Sequence, residues 1–248
     1  MKQGFIIPVY RHAATAGPLA EKLASGGLPV ILIDDGNDGE GRACLENRAA
    51  KAPGLVLVRL EKNRGKGAAM AKGFEKASEL GLTHVLQIDA DGQHDITRVD
   101  FFLKEAEKQP DRVICGLPVF DESAPGIRLG GRKIANFWAA VVTLSNELPD
   151  VLCGFRVYPV EESLRITRDP FTDKRMGIDS ELLVRLYWNR VFPVFHPVKI
   201  SYPSDGISNY RYFWDNLHIA WVYVRLFFGM LLRLPRLLVI RYERRKES

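Results

Sequence analysis

Cysteine is scarce: Cys44, Cys115 and Cys153 are the only three in 248 residues. Three thiols cannot make a disulfide framework, and they lack the short paired spacing of a zinc site. The expected compartment is a reducing one. Long uncharged apolar runs are missing as well. The best window, 217–234, is interrupted by His218, Arg225 and Arg233, and charges at mid-bilayer depth are costly. The opening G-F-I-I-P-V run has no basic stretch followed by a long apolar one, so no signal peptide is expected. No solenoid or propeller period is present. G-x-x-x-x-G-K-[ST], H-E-x-x-H and G-x-S-x-G are absent, and no G-x-G-x-x-G follows the first apolar run. P-loop, metalloprotease, hydrolase and dinucleotide-fingerprint readings therefore lack support. With 46% hydrophobic and 26% charged residues, the composition excludes disorder.

The net charge of +5 is local: after Asn209 eight Lys/Arg face three acids, and the rest of the chain is balanced. The basic character belongs to a tail, so no nucleic-acid partner is expected. The first 116 residues alternate short apolar runs (4–9, 29–33, 55–60, 84–88, 112–115) with helix-period segments (13–24, 40–52, 67–80, 96–109). Gly or Pro stands at nearly every junction. Such alternation predicts an α/β fold with a parallel sheet covered on both faces. Ligands bind such sheets beyond the carboxyl ends of the strands. Farther on, the pattern predicts helices over 127–145, 179–189 and 213–234 and strands over 151–159 and 198–202.

Polar residues gather where each early strand ends. D-A-D-G-Q (Asp89 to Gln93) places two carboxylates and an amide oxygen at a sharp turn. Those donors suit Mg²⁺ or Mn²⁺ when phosphates complete the shell; a solvated Asp turn has the same composition. Asp34-Asp35-Gly36-Asn37-Asp38 offers acceptors for a base or ribose, or an Asx-turn. Asn63-Arg64-Gly65-Lys66-Gly67 opens a helix whose free N–H groups, with Lys66, favour a phosphate; it also reads as an ordinary glycine-containing helix start.

Taken in order, P-V-Y, D-D-G-N-D, N-R-G-K-G and D-A-D-G-Q resemble the nucleotide-diphospho-sugar transferases of glycosyltransferase family 2, which have the GT-A fold. With C-G-F-R-V-Y-P (153–159), G-I-D-S-E-L-L-V-R (177–185) and S-N-Y-R (208–211), the chain is most similar to dolichyl- and polyprenyl-phosphate sugar transferases. C-G-F-R-V-Y-P, D-G-I-S-N-Y-R (205–211) and L-F-F-G-M-L-L-R-L-P (226–235) together resemble bacterial members associated with aryl-polyene (xanthomonadin-like) genes. The resemblance implies a nucleotide pocket lined by Pro8, Tyr10 and Asp35, with Lys66 near the donor. It implies a metal and diphosphate site at Asp89, Asp91 and Gln93 for Mg²⁺ or Mn²⁺. Arg128 and Arg132 would hold charged phosphates, Arg132 in a catalytic role. Arg156, Glu181 and Arg211 would face the acceptor. Asp179 is the candidate base for a hydroxyl acceptor, or a first-turn acid stabilising its helix. P-V-Y-R-H stands where the family has P-x-Y-N-E, and Asn37 where it has Ser.

The resemblance implies an inverting, metal-dependent transferase moving a sugar from a UDP- or GDP-type donor to a lipid-linked or polyprenyl-phosphate acceptor. The expected organisation is a GT-A domain over 1–209 (nucleotide-sugar half 1–116, acceptor half 117–209) and a basic, amphipathic segment over 210–248. An interfacial helix with snorkelling arginines and Trp221 and Tyr223 near the boundary would attach the chain to anionic lipid on the inner face of a bacterial membrane; packing on the protein's own core or on a second subunit is the other reading. Two further classes remain: a nucleotidyltransferase, whose Gly-rich Arg signature is absent, and a catalytically weak membrane-attached scaffold.

Overall fold

The structure, a computed structural model, describes residues 1–120, 126–201 and 212–247, with the backbone alone for 126–129, 212, 213 and 247. Its strands are β1 (Gln3–Val9), β2 (Val30–Asp35), β3 (Leu55–Leu60), β4 (His84–Gln87), β5 (Val113–Phe120), β6 (Arg156–Pro159) and β7 (Pro193–Ile200). They form one sheet in the order β3-β2-β1-β4-β6-β5-β7. β6 alone runs antiparallel to its neighbours. The chain steps outward from β1 to β3, then returns to place β4 beside β1. That reversal opens a crevice beyond the carboxyl ends of β1 and β4.

The helices are α1 (Ala13–Ala24), α2 (Gly39–Lys51), α3 (Lys66–Glu79), α4 (Val99–Lys108), α5 (Gly126–Thr143), α6 (Val160–Thr167), α7 (Ile178–Trp188), α8 (Tyr212–Leu232) and α9 (Leu234–Glu247). Alternating side chains on the sheet feed two cores. Phe5, Ile7 and Val9 pack with α1, α2 and α4, while Ile6, Ile31 and Ile33 pack with α3 and α5 to α9. This two-faced burial explains why β1 and β2 read as continuous apolar runs.

Several segments depart from the sequence pattern. Of the expected strand over 151–159, only Arg156–Pro159 joins the sheet. The residues before it are drawn into a turn by Asp150, whose Oδ1 accepts the N–H groups of Leu152 (3.1 Å) and Cys153 (2.8 Å). β7 begins at Pro193, ahead of the expected 198, and α6 was not expected at all. The fourth helical segment opens with a 3₁₀ turn, Ile96–Arg98, before α4.

The C-terminus is also more structured than its composition suggests. Pro235 does not end the helical tail. It stands in the first turn of α9, where its missing N–H costs nothing. Val222, Tyr223, Leu226 and Met230 of α8, with Leu237 and Ile240 of α9, are buried in the same core as α3 and α7. Each such burial contributes about 1.5–3 kcal/mol. Tyr223 is therefore a core residue rather than a boundary one, its hydroxyl donating to the Ala135 carbonyl at 2.9 Å. The opposite stripe of α8 (Trp214, Leu217, Trp221, Val224, Phe228, Leu231) is exposed. Among the described residues no single helix is long and apolar enough to cross a membrane. α8 and α9, bent by 84°, pass that test only as a pair.

Candidate active site

Three segments converge at the crevice. Past β4 the chain turns at Asp89-Ala90-Asp91-Gly92, with Gly92 at φ 73°. The loop from β3 enters α3 through Gly65 at φ 96°. There the buried carboxylate of Asp35 accepts the N–H groups of Arg64 (2.8 Å) and Gly65 (2.9 Å) and the side-chain amide of Asn63 (3.2 Å). Asp35 thus holds the loop that presents Lys66; burial pushes its carboxyl above the ordinary value despite those donors. The third segment is the first turn of α7, which carries Asp179. Gly177 occupies the cap position of that helix, and the Asp179 carboxylate is bonded by Lys66 and Gln87.

Lys66 bridges the other two segments. Its ammonium lies 2.7 Å from Asp89 Oδ1 and 2.6 Å from Asp179 Oδ2. Burial alone would pull the ammonium toward neutrality; Asp179 and Asp89 together outweigh it and hold Lys66 charged well above its ordinary range. Asp89 is pushed up by burial and pulled further down by Lys66, and stays ionised. Gln87, the last residue of β4, completes the bridge. Its side-chain amide donates to Asp179 Oδ1 at 3.1 Å and to Asp89 Oδ1 at 3.3 Å.

Asp91 accepts the N–H of Gln93 at 3.1 Å. Burial and then the neighbouring Asp89 charge raise its carboxyl. Lys66 offsets part of the repulsion within this pair, and a divalent cation would lift more of it. Among the described residues no group of three His, Cys, Asp or Glu could hold a metal ion alone. Two hard carboxylates at a partly open turn nevertheless fit an ion that takes its remaining oxygens from water and phosphate. Gln93 is tied through its backbone to Asp91 and Ser201.

The remaining expected residues are placed as follows. Pro8 and Tyr10 are half-buried at the carboxyl end of β1, with the Arg11 guanidinium 5.1 Å from the Tyr10 ring centre. Asn37, where the family has Ser, donates to the Val9 carbonyl (3.0 Å) and Asp34 Oδ1 (2.8 Å) and accepts from Arg11 N (2.7 Å). It stitches the ends of β1 and β2 together. Arg132 is ion-paired with Asp150. Arg156 departs from the expected acceptor contact: it is 0% exposed and stands behind the site, donating to the Asp179 carbonyl at 2.7 Å and the Tyr158 hydroxyl at 3.1 Å. Glu181 departs likewise, since it is buried and accepts from Arg225 (3.0 Å) and the Asp173 N–H (3.0 Å). The side chain of Arg128, and all of Arg211, lie outside the described residues. His94, next to Gln93, packs on Phe155 with ring centres 5.5 Å apart. Cys153 is a buried thiol pushed up to about 12 by burial, as inert as its apolar setting predicts.

Sequence reasoning missed Gln87, Asp150 and the role of Gly154. Gln87 reads as one residue of a buried strand, and its amide had no visible partner without the fold. Gly154 sits inside C-G-F-R; a Cβ there would stand 2.0 Å from Asp89 Oδ2.

The model of glycosyl transferase family 2 matches residues 5–196, a span that includes every residue of this bridge. The chain belongs to glycosyl transferase family 2. Among family relatives, it is 27% identical over 191 residues to the undecaprenyl-phosphate mannosyltransferase of Micrococcus luteus, covering 73% of this chain and 75% of that protein. It is 29% identical over 164 residues to the dolichyl-phosphate beta-glucosyltransferase of Dictyostelium discoideum, covering 62% of this chain but 49% of the other. Among solved structures it is similar to glucosyl-3-phosphoglycerate synthase from Mycobacterium tuberculosis in complex with Mn²⁺, UDP-glucose and phosphoglyceric acid. The TM-score is 0.64 at 15% identity, over 93% of this chain and 78% of that one. That likeness extends to the GT-A fold of the family 2 domain.

Proposed function

We propose that this chain transfers a hexosyl group, with inversion, from a UDP- or GDP-linked donor to a polyprenyl-type lipid phosphate at a membrane surface, with Mg²⁺ or Mn²⁺ as cofactor. The observation that carries the reading is the Asp89–Lys66–Asp179 bridge in the crevice where a GT-A domain takes its donor. Asp89 and Asp91 are the residues to hold the divalent ion, and such an ion supplies charge neutralisation for a leaving diphosphate. Lys66 adds a fixed positive charge on the same side. Asp35 keeps the loop bearing Lys66 in place, and Pro8 and Tyr10 flank the room for the base.

The names of the relatives, both lipid-phosphate sugar transferases, support a lipid phosphate acceptor. Such an acceptor is already anionic and needs no base. That suits Asp179, because a carboxylate held by an ammonium at 2.6 Å is poorly placed to take a proton. Asp179 then orients Lys66 and the acceptor side of the site. The exposed stripe of α8 supports attachment to an anionic bilayer. Its six residues carry no charge, because His218 and Arg225 turn inward to Asp173 and Glu181. The kinship with aryl-polyene-associated transferases rests on the sequence motifs.

The test is calorimetry of the purified protein with UDP, GDP and their sugar conjugates, with Mn²⁺ and then with EDTA. A transfer assay to undecaprenyl phosphate follows. Metal-dependent binding of one nucleotide and a glycolipid product are expected. Absence of nucleotide binding under every condition would overturn the reading.

A further inference from the structure

Helix α8 packs on α7 and on the short loop that precedes it. Its His218 Nε2 lies 2.6 Å from Asp173 Oδ1, and Asp173 is 5% exposed. Arg225 pairs with Glu181 at 3.0 Å and also donates to the Phe171 carbonyl. Glu181 in turn accepts the Asp173 N–H, and Asp173 Oδ2 accepts the Arg175 N–H at 3.1 Å. Two side chains of α8, His218 and Arg225, therefore pin the segment between α6 and α7. The other side of that segment is the seat of α3. The carbonyls of Arg175 and Lys174 accept the N–H groups of Gly67 (3.1 Å) and Ala68 (3.0 Å). Both donors lie in the first helical turn; Gly67 takes its partner from this loop, and Ala68 shares its N–H between Lys174 and the Gly65 carbonyl (3.0 Å). The approach is close enough that a Cβ on Gly67 would stand 2.2 Å from the Asp173 carbonyl oxygen. Lys66 is the residue immediately before Gly67.

We propose that His218 and Arg225 are positioning residues for the donor site. They act through Asp173 and Glu181 on the loop 171–177, and through that loop on the first turn of α3 and Lys66. The tail is then a structural part of the nucleotide-sugar site as well as a surface for lipid, and it influences donor binding with no membrane present. This inference rests on the reading of the crevice as a nucleotide-sugar site. Its interest lies in the order of contacts. A helix whose outer stripe faces a bilayer uses its inner, charged face to set the lysine that bridges Asp89 and Asp179.

The experiment uses the full-length protein without lipid. Binding of UDP and GDP with Mn²⁺ is measured by calorimetry for the wild type and for His218→Ala, Arg225→Ala, Arg225→Lys and the control Arg233→Ala. Arg233 lies on the same helix but bonds the Gly229 carbonyl and stacks on Trp188. Loss of one polar contact to a buried acid is expected to weaken nucleotide binding about tenfold in His218→Ala and Arg225→Ala. Arg225→Lys should recover part of that loss, and Arg233→Ala should bind as the wild type does. Hydrogen exchange gives a readout that a general loss of stability would not mimic. The amides of Gly67 and Ala68 should exchange faster in the two weakened variants, while amides of β1 and β2 keep their protection. Wild-type affinity together with unchanged Gly67 and Ala68 exchange in both variants would overturn the inference. A wild-type protein that binds neither nucleotide would instead remove the reading of the site on which it rests.

Discussion

Asp89 lies against the bare Cα of Gly154, so closely that a methyl group there would stand 2.0 Å from Oδ2 and 2.5 Å from Oδ1. Two motifs separated by more than sixty residues thus meet face to face. The glycine of C-G-F-R is the space into which the first carboxylate of D-A-D fits. Gly154 does not have a left-handed backbone, so Ala at this position is allowed by conformation and fails only for room. Gly154→Ala should fold, displace the Asp89 carboxylate and lower kcat/KM by about 100-fold, the usual cost of moving a reacting group by an ångström. Mn²⁺ affinity, followed by electron paramagnetic resonance, should fall with it. Unchanged metal affinity would show that Asp89 is free to settle elsewhere.

Gln87 should behave differently. It donates to both Asp89 and Asp179 from a fully buried position. Gln87→Leu leaves two carboxylates short of a donor, which costs about 1–3 kcal/mol of stability. Gln87→Glu adds a third acid between them and should be worse. Thermal unfolding and transfer rate, measured together, check this: the order wild type, Leu, Glu is expected in both.

Asp91→Ala and Asp179→Asn separate the metal from the acceptor chemistry. Asp91→Ala should abolish Mn²⁺-dependent nucleotide binding. Asp179→Asn keeps a hydrogen-bonding group for Gln87 but removes the charge facing Lys66. With a lipid phosphate acceptor it should reduce transfer by about tenfold or less, since no proton has to be removed. A loss on the order of 10⁴ would instead mark Asp179 as a base.

Acid should destabilise the fold through buried histidine. Burial pulls His84 below its ordinary value, against the opposing effect of its bond to the Pro110 carbonyl. The folded state therefore binds fewer protons there than the unfolded chain. The stability this gives is present above the unfolded value of about 6.5 and is lost as the pH falls from there through the lower folded value. The midpoint of thermal unfolding should drop between pH 7.5 and pH 5.5, and His84→Gln should flatten that drop.

Much of the catalytic half was legible because parallel strands leave a strong trace. Their apolar runs, the Gly and Pro punctuation and the polar residues at each strand end placed Asp35, Lys66, Asp89 and Asp91 at one edge. Partners that come from distant segments were not legible. The pairing of Lys66 with Asp179 spans 113 positions, and nothing local to either residue announces it. Arg156 shows the limit from the other side: G-F-R reads as an exposed basic motif, yet the strand period turns its side chain into the core behind Asp179. Glu181 reads as an acceptor contact and Arg225 as a snorkelling arginine, and each is taken by the other. Pro235 follows an apolar helical run, where proline commonly marks a stop, yet in the first turn of α9 it marks a start.

The three charges that break the apolar window 217–234 made a spanning helix untenable, and the structure shows where they go. His218 and Arg225 turn inward to acids, and Arg233 folds back on Trp188. What remains outward is a continuous stripe with Trp214, Trp221 and Phe228 each at least 60% exposed. Exposed aromatics on this scale mark a contact surface. Nearby basic residues of α9 favour anionic lipid by about 1 kcal/mol each close to the surface. The full-length protein should therefore float with vesicles containing phosphatidylglycerol, less so with neutral vesicles or in high salt. Trp221→Glu combined with Phe228→Glu should abolish flotation without lowering the unfolding temperature, because neither side chain supports the core. If the double variant floats as well as the wild type, the stripe is not the lipid-facing surface. If it stays soluble and monomeric where the wild type self-associates without lipid, the stripe joins two copies of the chain.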